Sequence, residues 1–406
     1  MRRLTAGLLL TLLFSLSTPV MAWEYEDDNA SVSFDAAALT HLLYLITPES
    51  AGVPHSDTVL SIQRLRPKFA FTVEDWLAFE ASYDLMPISG QALNALTWAV
   101  APSNALRLDD LDTDLHEGDG WRLRHNLDRV VLHFMHDDFE IRLGRQAIGH
   151  GSARIFSASD LFSNVSPASL DSEFKRGVDG VRVTVPIGES MELELYALAN
   201  GTDWEDSLYL ARWRGNFQAV DISLLAGSTY AQPTIALDVS GDLLGAAWYL
   251  EGMTRIATND NEPETSGRVT LGFDYKFSFG LHATLEGHYN SPGEADPDDY
   301  LKAYSSLSAT VGESYLLSRW YVGLGLGYEL TPLLKGHLNW MQNLEDGSAL
   351  ASLLLAWDFV ENVAIELGAM LPIGERMDAA TSVIPTPKTE FGLYPIMGFT
   401  ALRLAL

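Results

Sequence analysis

The chain has 406 residues, 47% of them hydrophobic, with 54 acidic side chains against 26 basic ones and no cysteine. A net charge of -28 excludes nucleic acid as a partner, since a polyanion would be repelled. The lack of cysteine excludes disulfide and thiolate sites, and the length suffices for one large core or one large barrel.

Arg2 and Arg3 precede an apolar run from Leu4 to about Val20, and Val20-Met21-Ala22 sets small residues where a signal peptidase reads. Residues 1–22 therefore read as a cleaved signal peptide and 23–406 as one mature unit. An uncleaved anchor is the rival reading, against which the run is short and turn-forming near its end. No later segment offers an apolar run long enough for a spanning helix, so a membrane form of the mature chain must cross as strands.

Beyond residue 22 the chain alternates with period two. Strands are expected near 31–45, 57–72, 76–86, 121–135, 139–147, 176–186, 190–199, 207–214, 217–228, 233–240, 243–253, 267–277, 281–290, 319–329, 333–343, 348–358, 362–371 and 389–405. That makes about 18, each near the ~10 residues needed to cross a bilayer at a tilt. From Arg268 to Phe277 one face holds Val269, Leu271, Phe273, Tyr275 and Phe277, the other Arg268, Thr270, Gly272, Asp274 and Lys276. Short turns such as Val73-Glu74-Asp75 and His136-Asp137-Asp138 fall at one end. The other end takes the acidic segments Asp109–Asp119, Asp203–Asp206, Asp260–Glu264 and Glu294–Asp299, read as solvated loops.

Alternation alone also fits a soluble sandwich; aromatic placement separates the two. Tyr275, Tyr328 and Trp357 stand two residues before short turns on the apolar face, while Tyr289, Trp320 and Trp340 lie toward the loop end of that face. Two belts at headgroup level suit a membrane barrel. The opposite face is charged. Arg64, Arg66 and Lys68 share one strand and Glu80 and Asp84 the next, while Glu192 and Glu194 lie between strands carrying Arg182 and Arg212. Such charges pair across a ladder and also set a field across a lumen.

The stretch GRQAIGHGSARIFSASDLF, Gly144 to Phe162, followed by EFKRGVDGVRV, Glu173 to Val183, resembles Gram-negative outer-membrane barrels of the porin-like and alginate-export-like kind. The resemblance implies an all-β fold: a single antiparallel transmembrane β-barrel of about 18 strands in the outer membrane. The function it implies is a passive channel, read as one for small hydrophilic solutes, and the basic residues of the long connection favour anionic ones. An exporter of an anionic polysaccharide and a non-conducting barrel that anchors a partner are the alternatives. Outer-membrane lipid, lipopolysaccharide and the barrel assembly machinery are the expected partners, and no cofactor is expected.

The long connection from about Gly149 to Lys175 is too apolar to be disordered and too long to be a turn. It joins the fifth and sixth strands, so the strand diametrically opposite is the fourteenth, whose inward positions are Tyr321, Gly323, Gly325 and Gly327. Glycine inside a strand often marks close approach by another backbone or a ligand. The loop is therefore expected to cross the lumen, to pack Phe156 or Phe162 on a wall, and to present Arg154 with Arg142, Arg145, Lys175 and Arg176 as the basic side of a constriction. Arg64, Arg66 and Arg182 extend the basic lumen surface. Other chemistries fit poorly. Ser152 lacks the second glycine of a nucleophile elbow, Arg154 standing in its place. His282 and His288 are roughly 20 Å apart along a strand, too far to share a metal, and read as solvated lumen histidines.

Overall fold

The computed structural model describes residues 22–47, 56–90, 106–109, 111–162, 175–259, 262–376 and 387–405. Apart from Ala22, the expected signal peptide lies outside these residues. Twenty strands form one antiparallel sheet: β1 (Trp23–Glu26), β2 (Ala30–Thr47), β3 (Ser56–Val73), β4 (Leu77–Gly90), β5 (Asp112–Gly118), β6 (Trp121–His136), β7 (Phe139–Ala147), β8 (Gly177–Ile187), β9 (Met191–Asn200) and β10 (Asp203–Phe217) in its first half. The second half comprises β11 (Val220–Thr229), β12 (Gln232–Leu243), β13 (Ala246–Arg255), β14 (Ser266–Lys276), β15 (His282–Asn290), β16 (Trp320–Thr331), β17 (Leu334–Asn343), β18 (Ala349–Val360), β19 (Val363–Ile373) and β20 (Ile396–Ala405). Eighteen of them close into a ring, β4 pairing directly with β6 and β2 with β20. The other two are short additions. β5 folds back on β6, and β1 prolongs the column of β20 along β2.

Every expected strand is present. Leu271, Phe273, Leu285, Leu353 and Leu355 are exposed on the outer face, as the period-two pattern requires of a surface that meets lipid. Tyr275, Tyr328 and Trp357 are exposed near the short turns, and Trp320 is exposed near the loop end, where its ring meets Tyr289 at 4.6 Å. With strands ~4.8 Å apart and tilted ~40°, a ring of this size is roughly 35 Å across.

Several boundaries differ from the sequence reading. The β10–β11 turn lies at Gln218-Ala219 rather than at Gly215-Asn216, and the β12–β13 turn at Leu244-Gly245. In both turns, and at Tyr230-Ala231, the two central residues have positive φ. That is the hairpin geometry whose twist matches the flanking strands. Asp203–Asp206 are not a loop but the first residues of β10, and part of the Asp109–Asp119 run is β5. The last strand begins at Ile396, after a short 3-10 turn at Phe391–Leu393.

The core lies inside the ring, toward the loop end. One apolar cluster joins Leu43, Leu45, Leu60, Ile88, Met341, Met370 and Met397 of the wall to Phe156 and Phe391 of inward segments. A second gathers Val178, Leu198, Leu210, Leu225 and Met253 around Leu161 and Phe162. The segment 291–319, with the short helices α1 (Tyr300–Tyr304) and α2 (Leu307–Thr310), is also tied inward. Its Glu313 is buried between Arg255 (2.5 Å) and Arg268 (3.2 Å).

Candidate functional site

The described part of the long connection, up to Phe162, crosses the lumen; residues 163–174 lie outside the described residues. Its tip meets β16 where the sequence reading placed it. A Cβ at Gly323 would lie 2.8 Å from Phe156 Cε2 and 2.9 Å from Ile155 Cδ1, so the tip needs a bare backbone there. The Phe156 ring stacks on His288 at 5.3 Å and meets Tyr321 at 5.8 Å. Phe162 takes the other side of the barrel, against His150 and Tyr196.

Carboxylates of the wall hold the loop by its backbone. Glu286 of β15 accepts N–H bonds from Arg154 (2.6 Å), Ile155 (3.1 Å) and Phe156 (2.8 Å), and the Tyr249 hydroxyl donates to it at 2.5 Å. Glu251 of β13 accepts from the amides of Ala153 (2.5 Å), Ala158 (3.0 Å) and Ser159 (3.1 Å) and from the Ser159 hydroxyl. Ser152 Oγ donates to Asp238 of β12 at 2.9 Å, and Thr270 Oγ1 of β14 donates to the Phe156 carbonyl at 2.7 Å. Gly151, at φ 94°, sits so close to Glu251 that any side chain would strike its carboxylate. A loop without regular structure inside a barrel must find partners for its amides, and buried acids supply strong ones.

The sequence reading did not assign these acids. Alternation puts Asp238, Glu251, Asp274 and Glu286 on the inner face, but their partners are loop amides, the Ser152 hydroxyl and the Arg154 guanidinium, some 90 to 130 residues away, a pairing that carries no sequence signal. His288 is likewise not a solvated histidine: it is buried under Phe156 and bonded to Thr270 at 2.8 Å. His282 is exposed on the lumen face.

The expected basic residues divide into two groups. Arg66 and Arg145 belong to a buried ion network beneath the wall. Arg66 bonds Asp84 (2.9 Å) and Asp128 (2.6 Å), and Arg145 forks onto Asp179 (2.7 and 2.8 Å). Arg176 pairs with Asp112 at 3.1 Å, an acid it shares with Arg124, and Arg64 lies half-buried near Asp84. The structure does not gather Arg145 and Arg176 with Arg154, because acids on neighbouring strands capture them first.

The remainder face water. Arg154 stands at the loop tip with its side chain 67% exposed, 3.2 Å from Asp274 of β14. Lys175 is part-exposed and bonded to Asp160 at 2.6 Å. On the opposite wall Arg182 and Arg212 share Glu194, Arg214 takes Glu192 at 2.7 Å, and Arg142 lies beside Arg182 in register. His150 reports the local field. Its pKa is held well below the usual imidazole range, first by burial and then by Arg212, Lys175, Arg182 and Arg214.

A closed antiparallel ring with an apolar exterior, a partly charged interior and a segment drawn into the lumen is a transmembrane β-barrel of the porin type. Among solved structures the chain is similar to OccAB1 of Acinetobacter baumannii, at 10% identity and a TM-score of 0.52, covering 92% of this chain and 96% of that one. It is similar to the outer membrane protein OpdK of Pseudomonas aeruginosa (11%, TM-score 0.53, covering 92% and 98%) and to a BenF-like porin from Pseudomonas fluorescens Pf-5 (10%, TM-score 0.53, covering 92% and 98%). At such identity the likeness is one of fold. No family model matches the sequence, and no curated relative matches it.

Proposed function

We propose that the protein is an outer-membrane channel for small hydrophilic solutes, favouring anions, with the loop after β7 as its constriction. The observation that carries this reading is the anchoring of the loop tip against Gly323 and Glu286 on the far wall, which divides the lumen. The acids on that wall spend their lone pairs on loop amides. Across from them Arg182 and Arg212 share a single carboxylate, and Arg154 projects from the tip with most of its guanidinium in water. A path lined this way presents more available cationic donors than acceptors and lowers the barrier for a solute carboxylate or phosphate. Arg142, Arg182, Arg212 and Arg214 form the wall side of that path and Arg154 with Lys175 the loop side. Arg64, Arg66, Arg145 and Arg176 act on it through the wall they brace. No feature among the described residues favours the polymer exporter or the anchoring barrel.

Planar-bilayer recording with matched anion and cation panels tests the proposal. Discrete conductance steps and an anion-preferring reversal potential are expected. A barrel that inserts and passes no ions, or prefers cations, refutes it. The apolar outer face also requires that the mature chain stay in solution only with detergent and change gel mobility on boiling; recovery as a detergent-free soluble protein would end the membrane reading.

A further inference from the structure

Of the three lumen-facing glycines of β16, the loop covers only Gly323. Gly325 and Gly327 open instead on a recess of about 300 Å³ nearer the turn end. Strand register sets Lys276, His282, Gly327 and His337 side by side in one row across β14 to β17. A Cβ at Gly327 would stand 3.3 Å from Nδ1 of His337 and 3.9 Å from Cβ of His282, so the missing side chain leaves a space that the two imidazoles flank. Its φ is not in the left-handed region, so the backbone does not require glycine there. An open site between polar side chains is the remaining use for it.

The lining has the chemistry of an anion site. The side chains of Lys276, His282 and His337 make no hydrogen bond or ion pair among the described residues, while Lys335 is shared with Asp358 at 3.4 Å and Glu329 sits at the edge. No group of three ligating side chains that could hold a metal occurs among the described residues, and two ammonium groups would oppose a cation. The position is as telling as the composition. One row toward the loop end lie Thr284 and Asp274, and Asp274 holds Arg154 at 3.2 Å. The recess therefore begins where the exposed guanidinium of the loop tip ends.

We propose that this recess is an oxyanion-binding site that takes a small phosphate- or carboxylate-bearing solute as it leaves Arg154. The Lys276 ammonium and the ring N–H groups of His282 and His337 donate to the oxyanion, and Gly325 and Gly327 give it depth. Glu329 at the rim repels a second acidic group placed toward the turns, which limits the preferred ligand to one with a single compact anionic head. The site rests on the channel reading for the ligand it meets in passage, but its chemistry is independent of conduction.

The mature protein in detergent, labelled with 15N in its histidine rings, is titrated with inorganic phosphate at fixed pH and ionic strength. The His282 and His337 resonances should shift together and saturate with one Kd, while those of buried His41 and His150 stay in place. Gly327→Val fills the space and should weaken that Kd at least tenfold; Lys276→Gln, a change at an exposed side chain, should weaken it at least threefold if the valine variant does not fold. The site is overturned if the native rings do not respond saturably, or if a folded Gly327→Val or Lys276→Gln barrel keeps the native Kd. A conducting channel whose two rings are silent sinks the site alone. A barrel that binds phosphate there and passes no current sinks the channel reading alone.

Discussion

Replacing Glu286 with alanine removes the acceptor of three loop amides and the Tyr249 hydroxyl at once. A hydrogen bond to a charged acceptor contributes about 1.5–3 kcal/mol, and a buried donor left without a partner costs about 1–3 kcal/mol. The four donors act as a unit, so their contributions do not sum in full; about 4 kcal/mol of local tethering is a conservative figure. Glu251 still holds Ala153, Ala158 and Ser159, so the tip from Arg154 to Phe156 should fray while the flanking turn stays docked. At about 1.4 kcal/mol per decade, amide hydrogen exchange at Ile155 and Phe156 should quicken by about a thousandfold, and single-channel conductance should rise with added open-state noise. Glu286→Gln keeps one acceptor oxygen and should fall between. If exchange at those amides changes less than tenfold in a folded Glu286→Ala barrel, wall carboxylates are not what hold the constriction.

Gly323→Val drives a branched side chain into Phe156 and Ile155, at an overpacking cost of about 1–3 kcal/mol, and should raise conductance as Glu286→Ala does; an unaltered step size would show that the tip does not limit flow. Arg66→Ala leaves Asp84 and Asp128 without their shared partner and should destabilise the barrel by about 3–5 kcal/mol, seen as a lower unfolding temperature with anion preference retained. Arg182→Ala should do the reverse, lowering anion preference in bilayer recordings with little change in melting. Burial pushes the Glu390 carboxyl up to about 7. The folded chain then keeps a proton that the unfolded chain gives up, so the docking of the 387–395 segment is firmest below about pH 4.5 and weakens toward pH 7, by up to about 3 kcal/mol. The protection factor of the Leu317 amide, which donates to Glu390, should fall over that range after correction for base-catalysed intrinsic exchange, and should stay constant in Glu390→Gln.

The wall was legible because a barrel strand repeats one rule ten times over, inner and outer side chains in turn, and that rule survives a misplaced turn. The turns themselves were less so. Gly215-Asn216 carries the usual composition of a tight turn, yet the chain runs straight through it and reverses at Gln218-Ala219, residues that rarely adopt positive φ. With β10 running on to Phe217, Asn216 lies opposite Asp221 and its side-chain amide donates to that carboxylate across the hairpin. Similarly, β5 was hidden in an acidic run, and it forms because Asp112 meets both Arg124 and Arg176. The loop's destination could be derived from strand counting and from a glycine stripe. Its fastenings could not, since a carboxylate that caps amides and one that faces water look alike in sequence. The split between bracing and water-facing arginines had a partial signal in Asp128-Arg129, an acid placed to intercept a neighbouring cation.

Nearly all the wall is joined between strands that follow one another in the chain, so each hairpin can form on its own. The seam is different: Ala37 faces Ala405 and Ile46 faces Ile396, so β2 waits for almost the whole polypeptide before its second edge is covered. Closing a loop that long costs only about 5 kcal/mol of chain entropy, because the dependence is logarithmic, and a ten-residue ladder offsets it. Ring closure is therefore late in assembly but firm once made, and until it happens the two bare edges, one from each end of the chain, are the places where an unfinished barrel can pair with the wrong strand.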